Sequence, residues 1–113
     1  MDKEMTDDLN TYYSKQHAVV TGGASGIGAA IAEKLSEVGM HITVMGRDQG
    51  KLLATADRFK AATQQVDISK PEDVRRGFAA AVDMNGPVTI LVNNAGAAET
   101  STFAKMRSEE HTS

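Results

Sequence analysis

Apolar positions along this chain alternate between two periods. His17-Ala18-Val19-Val20 is a short continuous run of the kind that forms a strand buried on both faces. Ile27, Ile31, Leu35 and Val38 then recur at spacings of four, four and three, the stripe of a helix resting on a core. The pattern predicts a strand over about 17–21 and a helix over about 26–38, with Gly39 at the C-cap position. A second strand follows over about 41–45, then a helix over about 48–60 with Leu52, Leu53, Ala56 and Phe59 inward. A third, less apolar strand is expected over about 63–67. Ser69 and Glu72 fit a capping box for a helix over about 71–84, which turns Val74, Phe78, Ala81 and Val82 inward. Residues 88–92 form the cleanest buried strand, and Met40, Met45 and Met84 read as packing residues.

Strand–helix repeats joined by connections this short imply parallel strands and right-handed crossovers. The expected fold is α/β, the first half of an open doubly wound parallel sheet with four strands in the order 3-2-1-4 and three full helices. In that order the turn after the first strand and Asn93-Asn94-Ala95-Gly96 after the fourth face one another across the switch point, where such sheets bind ligands. A length of 113 residues allows one small domain, preceded by a polar, frayed extension over residues 1–15. A net charge of −3 offers no attraction to nucleic acid or an anionic membrane surface. No run is long enough to span a bilayer and no signal peptide is visible, so a cytoplasmic location is expected. With no cysteine there is no disulfide or thiolate chemistry, and no pattern suggests a metal site. His17 and His41 open strands and read as structural.

The chemistry concentrates in Thr21-Gly22-Gly23-Ala24-Ser25-Gly26-Ile27-Gly28. A glycine-rich turn entering a helix presents unpaired N–H groups and the positive end of the helix dipole, which suits a pyrophosphate. The spacing is not Gly-x-Gly-x-x-Gly, and no Gly-Lys-Ser/Thr follows to cradle a triphosphate. Alone, such a turn could serve packing only. Taken with Asn93-Asn94-Ala95-Gly96, it resembles the short-chain dehydrogenase/reductase family over residues 16–106, where the turn reads Thr-Gly-x-x-x-Gly-x-Gly and the fourth strand ends Asn-Asn-Ala-Gly. The resemblance implies a Rossmann-type domain binding a nicotinamide dinucleotide. Gly22 would allow the tight turn, the backbone of Ser25, Gly26 and Ile27 would meet the pyrophosphate, and Gly28 would allow close helix–strand packing. Asp67, followed by the aliphatic Ile68, would accept from the adenine amino group, and Asn93, Ala95 and Gly96 would line the adenosine and ribose. The resemblance also implies that the Asn93-Asn94 pair is partly structural, tying the fourth strand to its neighbours, so that Asn94 would not touch the cofactor.

Folds that prefer NAD place a carboxylate at the end of the second strand, on the ribose 2′-hydroxyl. Here Gly46 stands there, followed by Arg47. A neutral residue beside a guanidinium accommodates a 2′-phosphate with charge-assisted contacts, so NADP is expected over NAD.

The family's acid/base pair, Tyr-x-x-x-Lys, has no counterpart here. The tyrosines are Tyr12 and Tyr13, with Gln16 and His17 four residues on. Residues 107–113, Arg-Ser-Glu-Glu-His-Thr-Ser, lose all periodicity and match the in-frame translation of a widely used short-read sequencing adapter. They are therefore expected to be non-native. The reading is an N-terminal cofactor-binding fragment of an NADP-dependent oxidoreductase acting on a small alcohol or carbonyl, homo-oligomeric when complete and inactive as it stands. The alternative is a non-catalytic dinucleotide-binding sensor. Left with an apolar strand at its edge, the isolated chain is expected to aggregate.

Overall fold

Each central strand carries apolar residues on both sides, so it is stable only inside a sheet covered on both faces. In the computed structural model, which describes residues 11–24 and 26–94, that requirement is met by a parallel sheet in the order β3-β2-β1-β4. The elements run β1 (His17–Thr21), α1 (Gly26–Glu37), β2 (His41–Gly46), α2 (Gln49–Phe59), β3 (Ala62–Gln65), α3 (Pro71–Asn85) and β4 (Ile90–Asn93). The expected order holds. β1 lies in register with both neighbours, Val19 facing Thr43 on one side and Leu91 on the other.

Alternation along the strands divides the core in two. Ala18, Val20, Ile42 and Val44 point to one face, where Ala32 of α1 and Leu52 of α2 close over them. Val19, Met45, Val66 and Ile68 point to the other, covered by Val74 and Ala81 of α3, with Phe78 packed alongside. Two helices thus share one face and the third has the other.

The helices rest on narrower contact lines than the stripes suggested. Leu53, Val82 and Val38 are exposed, and Met84 is 63% exposed. Leu53 and Val82 each lie one residue past a buried neighbour, Leu52 and Ala81, and one step along a helix turns the side chain by about 100°. Val38 follows the last residue of α1, where no helical contact line holds it.

The expected capping box of Ser69 and Glu72 does not form. Lys70 is the N-cap of α3, without a side-chain hydrogen bond, and Pro71 follows at the start of the helix. Ser69 instead donates its hydroxyl to Asp67 Oδ1 at 2.6 Å, and Glu72 pairs with Arg75. Asp73 is the acid that reaches back, as described below. Proline at the first helical position favours this start, because its fixed φ suits a helix and its missing N–H is not needed there. Of the polar extension, residues 1–10 lie outside the described residues, whereas 11–14 form a helical turn.

His17 ties three elements together from inside. Its Nδ1 lies 2.9 Å from Gly86 O at the end of α3, and its Nε2 lies 2.7 Å from Thr43 Oγ1 on β2. The carbonyl can only accept, so Nδ1 donates and Nε2 is left to take the Thr43 hydroxyl hydrogen. Replacing His17 with phenylalanine keeps most of the volume but strands both partners, and should cost about 2 kcal/mol. Urea denaturation of the variant beside wild type measures it.

Candidate functional site

The strands all end on one side of the sheet, so the loops after β1, β2, β3 and β4 gather there. Their geometry follows from three glycines and one threonine. Gly22 leaves β1 at φ +65°, a conformation that most side chains disfavour, and its N–H donates to Met45 O at 2.9 Å. α1 begins four residues further on, at Gly26. A Cβ placed on Gly28 would fall on the Gly22 carbonyl and within 2.6 Å of Asn94 Nδ2, so only glycine lets the helix sit this close to the turn. Gly26 is the reverse case, since a Cβ there would meet nothing within 4 Å among the described residues. Among those residues the mouth of the helix is open.

Thr21 fastens β4 to this turn. Its hydroxyl donates to Asn93 Oδ1 at 3.0 Å and accepts the Asn94 N–H at 3.1 Å. Asn94 Nδ2 adds a long contact of 3.5 Å to Gly22 O. Asn94 is thus built into the scaffold, as expected of it. Ser25, Ala95 and Gly96 lie outside the described residues. Ile27 corrects part of the sequence reading. It was expected to begin the buried stripe of α1, yet it is 73% exposed. The buried residues of α1 are Gly28, Ala29 and Ala32, so Ile27 lies off the line along which the helix meets the sheet.

A second group forms beyond β2 and β3. Arg47 follows β2 directly, and Asp67 lies two residues past β3. Together with Gln65, Asp73 and Arg76 they line a cavity of about 370 Å³. Ile68 is buried in the core with Val66 and Val74, so only its backbone can face a ligand. Ser69 donates both its N–H and its hydroxyl to Asp67 Oδ1, at 3.0 and 2.6 Å. Those two bonds, the hydroxyl first, hold the Asp67 carboxyl below the ordinary carboxylate range, aided by the nearby charges of Arg47 and Lys70. Asp73 is lowered as well, first by the N–H of Asp67 and then by Arg76.

Both shifts carry the same sign. A folded-state pKa below the unfolded value contributes stability above the unfolded value of 3.8, and loses it as pH falls through the folded value. The stability gap between wild type and Asp73→Asn should therefore stay flat from about pH 8 to about pH 5 and close only in stronger acid. Urea midpoints of the two proteins across that range provide the measurement.

Gln65, Asp73 and Arg76 were not singled out in the sequence. The only trace was Asp73 and Arg76 at helical i, i+3 spacing, which ordinarily marks a solvated face. Arg47 and Asp67 do come to one cavity. The glycine turn and the end of β4 meet as the strand order required.

Comparison with known proteins agrees with this geometry. The family model for short chain dehydrogenases matches residues 16–113. Tropinone reductase-like 1 of Erythroxylum coca is 40% identical over 84 residues, covering 73% of this chain and 31% of that protein. A short-chain oxidoreductase from Pseudomonas aeruginosa PAO1, solved with NADPH bound and containing an atypical catalytic centre, superposes with a TM-score of 0.70 at 38% identity, over 74% of this chain and 35% of its own. A metagenomic short-chain oxidoreductase in complex with NADP superposes with a TM-score of 0.69 at 35% identity, over 74% of this chain and 40% of its own. The chain spans about a third of the length of the curated relatives it matches.

Proposed function

The chain belongs to the short-chain dehydrogenase family, and on that premise we propose that residues 16–106 are the NADP-binding part of an oxidoreductase that interconverts a small alcohol and a carbonyl compound. The observation that carries the cofactor choice is the cavity of about 370 Å³ in which Arg47 and Asp67 face one space. It fits a phosphorylated adenosine. Arg47 offers a guanidinium to a 2′-phosphate, Gly46 offers no opposing carboxylate, and Asp67 offers an acceptor to the adenine amino group. The NADP and NADPH complexes of the two structural neighbours support the same choice.

The glycine turn suits the other half of the dinucleotide. Gly28 holds α1 against Gly22, and the backbone N–H groups of Ser25, Gly26 and Ile27 would meet the pyrophosphate. Asn93, Ala95 and Gly96 would line the ribose side. When bound, the nicotinamide supplies or accepts the hydride. This chain's own residues bind and orient, and the Tyr-x-x-x-Lys pair that moves the substrate proton in the family is not among its 113 residues. The chain by itself is therefore expected to bind without turnover.

Titration with NADPH and NADH, followed by nicotinamide fluorescence, tests the reading. NADPH is expected to bind at least about tenfold more tightly, given the strength of charge-assisted hydrogen bonds. Equal affinity for the two would remove the argument for NADP. Turnover of a carbonyl panel by the complete gene product tests the reaction class.

A further inference from the structure

A continuous chain of hydrogen bonds runs past the C-terminal ends of β2 and β3 and joins the two residues proposed for adenosine recognition. Gln65 Nε2 donates to the Arg47 carbonyl at 3.0 Å, and Arg76 Nη2 donates to the Gln65 carbonyl at 2.6 Å. The same guanidinium places Nε and Nη2 on Asp73 Oδ1, at 3.0 and 2.8 Å. Asp73 Oδ2 accepts the backbone N–H of Asp67 at 2.6 Å. All five residues border one cavity.

As a contribution to stability the Asp73–Arg76 pair is unimportant, since exposed ion pairs three residues apart are worth about 0–1 kcal/mol. Its geometry says more. β3 is the outer strand of the sheet, only four residues long, and pairs on one side with β2. Past its end the Val66 N–H still reaches Gly46 O, at 2.8 Å. From Asp67 onward the backbone leaves the ladder, and Asp73 is the side chain that holds its next N–H. Ser69 occupies Asp67 Oδ1, and among the described residues no hydrogen bond reaches Oδ2. That oxygen faces a ligand usefully only if the Asp67 backbone is held in place.

We propose that Asp73 is a positioning residue for adenosine recognition: one oxygen holds the Asp67 backbone and the other holds Arg76, which fixes the spacing between Asp67 and Arg47. The inference rests on the NADP reading above and deepens it. Asp73 acts through Asp67 and touches no ligand itself. The partner chemistry is that of a 2′-phosphorylated adenosine, whose base and phosphate must reach Asp67 and Arg47 together.

Calorimetric titration of the complete protein with adenosine 2′,5′-bisphosphate, and separately with reduced nicotinamide mononucleotide, tests this. Asp73→Ala should weaken the bisphosphate by about tenfold or more and the mononucleotide by less than about twofold. In an Asp67→Ala background the same change should add less than about twofold, because the two side chains act as one unit. Asp73→Asn keeps one acceptor and should recover part of the loss; it also serves if the alanine variant does not fold. Unchanged bisphosphate affinity, an equal loss for both ligands, or a full loss in the Asp67→Ala background would each overturn the proposal. If wild type binds neither ligand, the NADP reading itself falls.

Discussion

Gly28→Val should lower stability by at least about 3 kcal/mol and abolish measurable NADPH binding, the largest effect expected of any single change here. The reason is steric and local. Even a single Cβ at this position lands on the Gly22 carbonyl and presses on Asn94 Nδ2 at 2.6 Å. Neither neighbour can retreat easily. The Gly22 N–H is bonded to Met45 O, and Asn94 is held through its own N–H by Thr21. The helix would have to lift from the turn, taking its open N-terminus away from the place where a pyrophosphate would sit. The denaturation midpoint and a fluorescence titration measure the two consequences separately. A variant that retained wild-type stability would show that the turn relaxes more readily than this packing implies.

Gly46→Asp is expected to invert the cofactor preference. A Cβ on Gly46 would meet Leu52 Cδ2 at 3.6 Å, ordinary van der Waals contact, so the fold can accept the side chain. Its carboxylate would oppose a 2′-phosphate and compete for the Arg47 guanidinium. Loss of charge-assisted bonds worth about 2–3 kcal/mol should weaken NADPH about 30- to 160-fold, while NADH gains an acceptor for its ribose hydroxyl. Arg47→Ala should show the first effect without the second. Dissociation constants for both cofactors across the three proteins decide it. A parallel fall for NADPH and NADH in Gly46→Asp would place the 2′-phosphate elsewhere.

These two positions were legible before any tertiary structure, because a glycine carries its meaning in its spacing and Arg47 in its place at the end of a strand. Family resemblance singled out Asp67, which the structure brings to the same cavity as Arg47, but not its bonds to Ser69. The expected box of Ser69 and Glu72 illustrates the limit. Sequence marked the helix start itself, since α3 begins at Pro71, but the N-cap is Lys70 rather than Ser69, Asp73 is the acid that reaches back, and Glu72 pairs with Arg75. Offsets of one residue decide such partnerships, and local pattern does not resolve them. Ile27 and Leu53 belong to the same class. Both fit a helical stripe, and both lie off the line along which their helix meets the sheet.

By itself the sequence determined the alternation of strands and helices, their parallel order, and the meeting of the glycine turn with Asn93 and Asn94. Each of these follows from periodicity, connection length or backbone freedom, which are properties of short stretches. Only the tertiary structure decided that His17 joins Thr43 to Gly86, that Gln65 reaches Arg47, and that Asp73 holds Asp67. A hydrogen bond needs its partners within a few tenths of an ångström. That placement is set by strand register and by where each helix begins on the sheet, so it exists only once the whole chain has packed.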